Sequence, residues 1–367
     1  MKALKVIIVL AVLFVFAELA VRIFAPEYRA LDHRKGITGG VPFSLNSYGL
    51  RDVEFGMEKG DEYRILCVGD SVTFGTQNRL EDTYPKVLER LLNEGSNTRY
   101  RVINAGGLGG YPQLEFEYIK AKGIDLMPDH VILGLCLNDV GNGVGCDTDT
   151  EQALIKRPNF WKNVTDFSSY RDPFSWNKEL PFVTNIAANI RRPLIKLRWY
   201  LMGRSYLLGW IDVNITGLLY RTGLKKYSFD MYGEKMVMLS FGIDDAAAAG
   251  WKKMETSLID MKKYLSGRNI GFTVAVFPYE FQVSDNPREN FFRIDKSKFT
   301  INPQERMIAF GKENDIAVVD ILPEYQKSGK KLYYPLDYCH PNVLGHHIAA
   351  RTIYGSLIKG ERTNGGI

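Results

Sequence analysis

The chain has 367 residues, 45% of them apolar and 24% charged, with a formal net charge of +5. That length suits one large domain or two modest ones with a full core. So mild a charge, with no basic run that tracks phosphates, excludes a nucleic-acid partner, and four cysteines without metal-ligand spacing exclude a zinc cluster.

In chain order, the first element is an unbroken apolar run from Val6 to Ala17, continued past Glu18 and Arg22 to Phe24 and preceded by Lys2 and Lys5. It is apolar on all faces and long enough for a signal-peptide core or a short membrane span. Neither Ala20 nor Ala25 has a small residue at the third-last position, so residues 1–25 read as an uncleaved anchor rather than a signal. The lysines put the N-terminus in the cytoplasm and the bulk of the chain outside. Glu18 and Arg22 stand four apart and can pair on one helix face. Residues 26–60 are mixed and Gly-rich, a linker and lead-in that becomes ordered near Asn46.

From residue 61 the pattern alternates. Strands are predicted over 64–68, 100–104, 130–135, 271–277 and 316–321. Helices are predicted over 84–92, 113–122, 251–265, 303–314 and 342–358. Such alternation implies right-handed crossovers and an α/β fold, three layers with a central, mainly parallel sheet covered on both faces. In such sheets ligands bind beyond the C-terminal strand ends, and Ser71, Gly109 and Asn138 each follow a predicted strand. Cys67 and Cys136 fall in central strands and read as small buried apolar residues, not disulfide partners.

Residues 146–245 break the rhythm and hold Trp161, Trp176, Trp199 and Trp210, four of the five tryptophans. They read as an aromatic-rich insertion emerging from the ligand-binding edge, a cap within a 61–367 domain.

Two short motifs carry chemistry. Gly69-Asp70-Ser71 follows the first strand, and Asp337-Tyr338-Cys339-His340-Pro341 precedes the last helix. A serine needs a base to take its proton, and the base needs a carboxylate to fix its tautomer; Ser71, His340 and Asp337 are those three parts. His346 and His347 lie on the following helix and read as structural, as does Asp139. Cys339 reads as a packing residue. The run Gly106 to Gly110 lacks the G-x-G-x-x-G order, so no cofactor is expected. There is no G-x-S-x-G elbow of the common lipases.

Together these residues resemble the SGNH/GDSL hydrolase family. The likeness runs through Gly69-Asp70-Ser71-Val72-Thr73-Phe74-Gly75, Asn104-Ala105-Gly106-Gly107-Leu108-Gly109, Leu137-Asn138-Asp139 and Asp337 to Pro341, four blocks in order. It covers about two thirds of the chain and excludes the insertion. The stretch Asn46-Ser47-Tyr48-Gly49-Leu50-Arg51 is similar to the lead-in of membrane-anchored bacterial members. Cys136 stands where members often carry glycine. The resemblance implies a flavodoxin-like sandwich, a triad of Ser71, Asp337 and His340, and an oxyanion hole from the backbone N–H groups of Ser71 and Gly109 with the Asn138 amide.

Only the insertion speaks of substrate. Between Pro181 and Lys225 there are seven basic residues (Arg191, Arg192, Lys196, Arg198, Arg204, Arg221, Lys225) against one acid, Asp212, interleaved with bulky apolar side chains. This suits an anionic membrane surface or an acidic polysaccharide, and equally a cap helix packing on its own domain. The expectation is an extracytoplasmic, membrane-anchored serine esterase removing acyl groups, acetyl above all, from a cell-envelope glycan. The alternative is an O-acyltransferase served by a separate membrane acyl-donor partner. Beyond these stand a lysophospholipase or thioesterase acting on lipid, and a non-catalytic glycan-binding protein.

Overall fold

The computed structural model describes residues 2–25, 37–38, 41–142, 201, 205–221, 239–242, 244–283, 299–334 and 337–363. Along the chain these form α1 (Lys2–Phe24), β1 (Ile37–Thr38), β2 (Val41–Pro42), β3 (Tyr63–Gly69), α2 (Ser71–Phe74), α3 (Tyr84–Asn93), β4 (Tyr100–Gly106), α4 (Pro112–Tyr118), β5 (His130–Cys136) and α5 (Asp139–Asn142). Then come α6 (Tyr206–Arg221), α7 (Asp245–Ser266), β6 (Gly271–Phe277), α8 (Glu280–Val283), α9 (Pro303–Glu313), β7 (Ala317–Asp320), α10 (Leu322–Ser328) and α11 (Val343–Thr363). Most of the aromatic-rich stretch, with Cys146, Trp161, Trp176, Trp199 and the bases from Arg191 to Arg204, lies outside the described residues. The elements divide into two units: α1, β1, β2 and α6 in one, the remaining strands and helices in the other.

In the second unit five strands lie parallel in the order β4-β3-β5-β6-β7. After its first residue each of β3, β5 and β6 is buried throughout, which requires cover on both faces. Helices supply it, α3 packing on α11 and α4 on α7. The fold is the expected α/β sandwich; β3, β4 and β5 exceed their expected ends by a residue or two, β6 matches, and β7 is one residue shorter at each end. The helix expected from Trp251 starts six residues earlier, because Asp244 caps it by accepting the Ala247 N–H at 2.8 Å. The helix expected over 113–122 is α-helical only to Tyr118 and then widens into a π turn over Ile119–Gly123. Leu239 and Phe241, within the stretch read as insertion, are buried in this unit's core.

Register aligns three glycines at the C-terminal edge. Gly69 stands opposite Gly106 of β4 and opposite Gly134 of β5. A Cβ on Gly106 would lie 2.1 Å from Phe74 N, and one on Gly134 would lie 2.3 Å from Thr73 Oγ1 and 2.7 Å from the Tyr84 hydroxyl. The missing side chains let α2 lie against the strand ends.

In the first unit α1 is a 23-residue helix, about 35 Å long at 1.5 Å per residue. Its stretch Leu4–Phe24 has a mean hydropathy of 2.7 and none of it is buried, so by length and composition it is fit to cross a bilayer. The expected Glu18–Arg22 pair is present at 2.8 Å.

Gly106→Ala is expected to lower stability by about 3 kcal/mol, because its contact is with backbone that cannot step aside. Gly355→Ala, in α11 with open space around it, is expected to be neutral or to gain about 0.5 kcal/mol from helix propensity. Urea unfolding of the two variants checks the pair.

Candidate active site

α2 is a single turn placed where β3 ends. Asp70 caps it, its Oδ1 accepting the Val72 N–H at 2.8 Å, and Gly75 ends it in the left-handed region at φ 82°. Ser71 is therefore the first helical residue, half-buried, at the strand edge.

Across the edge, the segment before α11 folds on Asp337. Its Oδ1 accepts the backbone N–H groups of Cys339 at 3.1 Å and His340 at 3.0 Å. Its Oδ2 lies 2.7 Å from His340 Nδ1, and His340 Nε2 lies 2.8 Å from Ser71 Oγ. A carboxylate only accepts, so Nδ1 carries the proton and Nε2 is left to accept from the serine hydroxyl. The structure thus joins Ser71, His340 and Asp337 in one hydrogen-bonded chain.

The other two expected site residues lie nearby. Gly109 adopts φ 72° in the loop after β4, whose Gly107 N–H donates to Gly69 O at 2.8 Å. A Cβ on the neighbouring Gly110 would lie 3.2 Å from Asp70 Cα, so this loop abuts the start of α2. Asn138 directs its side-chain amide to the Asp70 carboxylate, and its Oδ1 is buried without a hydrogen-bond partner. An asparagine amide has two N–H groups, so one donor can remain after the Asp70 bond.

Charge is distributed unevenly here. At Asp337, burial alone raises the carboxyl's pKa, but the charge and hydrogen bonds of His340 outweigh it and the net shift is downward. At His340, burial alone lowers the pKa; the charge of Asp337, its hydrogen bond and the charge of Asp70 outweigh this and raise it. Behind the serine lie three buried acids. Burial pushes Asp70, Glu115 and Asp139 up, and the Asp70 charge adds to the rise at the other two.

His346 is buried and accepts the Tyr84 N–H at 3.1 Å on Nδ1, with its pKa lowered to about 3 chiefly by burial. Asp139 accepts the Cys136 N–H at 3.1 Å. Cys67, Cys136 and Cys339 are buried free thiols. Asp337, Cys339 and His340 bring ligand atoms within 4.8 Å of one another, but the imidazole and carboxylate are committed to each other.

Two residues that the motifs do not reveal hold this geometry. Gln77, at φ 69°, donates from Nε2 to Asp337 Oδ2 at 2.7 Å. Arg51, nearly fully buried, donates to Phe74 O at 2.8 Å and Gly75 O at 2.7 Å, and also to Asn78 O. Asn78 in turn donates to Pro341 O at 3.0 Å, beside His340. The Asn46–Arg51 stretch gives a sequence hint of Arg51; Gln77 leaves none, because its partner is 260 positions away.

No protein-family model matches the chain, and no curated protein matches it. Among solved structures, a catalytic mutant of an acetylxylan esterase from Geobacillus stearothermophilus is similar at 16% identity and a TM-score of 0.41, over 81% of this chain and 95% of that one. A two-domain esterase active on acetylated mannans is similar at 12% identity and a TM-score of 0.40, over 83% of this chain and 50% of that one. An α/β hydrolase from the metagenome of Lake Arreo, Spain, is similar at 13% identity and a TM-score of 0.38, over 82% and 97%. At such distance the functional reading rests on this chain's own residues.

Titration of His340 by NMR is expected to give a pKa above the ordinary histidine value of about 6.5. Asp337→Asn removes the charge that raises it and leaves the burial that lowers it. The variant's His340 is therefore expected to titrate below the wild-type value.

Proposed function

We propose that the protein is a serine esterase that cleaves acyl esters through an acyl-enzyme. The observation that carries this reading is the hydrogen-bonded chain from Asp337 through His340 to Ser71.

In this reading Ser71 Oγ attacks the ester carbonyl while His340 Nε2 takes its proton. Asp337 holds the imidazole in the required tautomer and steadies the imidazolium. The oxyanion is held by the backbone N–H groups of Ser71 and Gly109 and the second N–H of the Asn138 amide, each donor worth about 3 kcal/mol in the transition state. The C–O bond breaks, and the alcohol leaves with the proton from His340. Water then attacks the acyl-serine, His340 again accepting a proton; the acyl C–Oγ bond breaks, Ser71 Oγ takes that proton back from His340, and the acid departs. Gln77 and Arg51 act through other groups: Gln77 steadies the Asp337 carboxylate, and Arg51 fixes the turn that carries Gln77.

The same proposal takes residues 1–25 as the membrane anchor, 26–60 as linker and lead-in, and 61–367 as the catalytic domain with 146–245 as a cap. The apolar, unburied α1 behind Lys2 and Lys5 supports an extracytoplasmic catalytic domain. The substrate we favour is an acylated cell-envelope glycan, acetylated in the first instance. Arg191, Arg192, Arg198 and Arg204, interleaved with Trp199 and Tyr200, support it, because planar cations and rings suit acidic sugars.

Full-length protein in detergent micelles is expected to hydrolyse p-nitrophenyl esters with a maximum at acetate. Ser71→Ala should lose about a million-fold in kcat, as when a triad nucleophile is removed. Turnover that survives Ser71→Ala sinks the nucleophile assignment, and a maximum at long acyl chains sinks the acetyl class. Only neutral imidazole can act as base, so the rate should rise with pH through the raised His340 ionisation; a flat profile between about pH 5 and 8 rejects His340 as base.

A further inference from the structure

α6 begins against α1. Glu18 Oε1 accepts the Tyr206 N–H at 3.0 Å, and Oε2 accepts the Leu207 N–H at 2.9 Å and the Ser205 hydroxyl at 2.7 Å. Arg22 pairs with Glu18 Oε1 at 2.8 Å, its guanidinium 4.7 Å from the centre of the Tyr206 ring. The first N–H groups of a helix have no intrahelical acceptor, and negative charge is favoured beside them. Ser205 caps α6, its Oγ accepting the Leu208 N–H at 3.1 Å, and the carboxylate from α1 takes the N–H groups of Tyr206 and Leu207 that the cap leaves over. The carboxylate fixes the start of α6 at the level of Glu18, six residues or about 9 Å short of the end of α1.

The face that α6 turns outward is mainly apolar, with Asn214 within it donating its side-chain amide back to Trp210 O at 2.8 Å. Trp210, Ile211, Ile215 and Leu218 are all exposed, Ile215 at 53% and Leu218 at 54%. At ~100° per residue these four fall within one arc of about 140°. Gly209, on the opposite side, is buried. Near the end of α1 only Ala17, Glu18, Val21 and Ala25 are even partly covered, whereas Leu4 to Phe16 are bare. The two apolar surfaces therefore meet at the outer end of α1. Trp210 and Tyr206 are the residue types that settle at headgroup level, and aliphatic side chains such as Ile215 and Leu218 offer sugar hydroxyls no hydrogen bond.

We propose that α6 is a second membrane contact: an interfacial helix held at its start by Glu18, with Trp210, Ile211, Ile215 and Leu218 immersed at the headgroup–acyl boundary of the outer leaflet. This rests on the reading of α1 as an anchor. It commits the helix within the insertion to lipid rather than to substrate.

The test reconstitutes the full chain in phosphatidylcholine–phosphatidylglycerol vesicles containing a diazirine-bearing lipid, photolyses them, and maps the adducts by mass spectrometry. Adducts are expected on α1 and on 206–221. Glu18→Ala should lose most of the α6 adducts and keep those on α1, while Glu18→Gln, which keeps one acceptor oxygen but sets its NH2 against a donor, should lose fewer of them. The double variant Ile215→Asp, Leu218→Asp should lose α6 adducts at unchanged ester turnover. Adducts on α1 alone in the wild type, or α6 cross-linked to a second copy in place of lipid, overturn the proposal and leave the anchor standing. Unaltered α6 labelling in Glu18→Ala overturns the role of Glu18 at the helix start. No adduct on α1 overturns the anchor and the interfacial helix together.

Discussion

One turn of helix has to lie against the ends of three parallel strands, and the site depends on that contact. Strand ends normally carry side chains that would hold a following helix away. Here Gly69, Gly106 and Gly134 share a register, and Thr73 and Phe74 occupy the space their side chains would need. Asp70 then starts the turn and Gly75 stops it within four residues. A serine in so short an element has little freedom to wander, so its hydroxyl can be met by a histidine 269 positions away. The partner side is equally constrained, because the Asp337 carboxylate takes the backbone N–H groups of Cys339 and His340 as well as the imidazole. Arg51 and Asn78 couple the two sides: one draws together the carbonyls that close α2, the other reaches Pro341.

Electrostatics reinforce the geometry. A buried imidazole facing no charge would lose its proton readily and make a weak base. Asp337 reverses that by charge and hydrogen bond, and Asp70 adds to it from the serine side. The cost is a cluster of acids in the interior, where two ionised carboxylates cannot sit together cheaply. The structure meets it by pushing Glu115 and Asp139 well above the usual carboxylate range, while Asp70 keeps hydrogen bonds from Val72 and Asn138 that favour its charged form.

The sandwich was legible because buried parallel strands leave a local signature, continuous apolar runs such as Val131 to Leu133 between helical spacings. Ser71, His340 and Asp337 were legible for another reason: each lies in a short motif whose members are sequence neighbours. Gln77 escapes because its role exists only once distant segments meet, and for Arg51 the lead-in marks the residue but not its bonds to the carbonyls that close α2. The glycine row escapes for a similar reason, since register, not any one strand, makes three glycines neighbours. The early start of α7 was missed because Ala246 to Ala249 carries no apolar periodicity, and the signal lay in the Asp244 cap instead. Composition marked 146–245 as different, yet it could not separate Leu239 and Phe241, which join the core, from the helix at 206–221.

Glu18 shows how a residue that weakens one reading can strengthen a larger one. An acid near the end of an apolar helix is a poor feature for a simple anchor, because an unpaired charge among acyl chains costs about 3 kcal/mol at mid-membrane by insertion scales. Arg22 one turn away meets part of that cost, but an exposed pair four residues apart stabilises by only about 0.5 kcal/mol. The carboxylate gains far more as an acceptor for two backbone N–H groups and a hydroxyl that would otherwise face an apolar environment. Each side thus needs the other: the anchor's charge is satisfied by the helix start, and the helix start is satisfied by the charge. That mutual dependence ties a helix from the middle of the sequence to its first 25 residues.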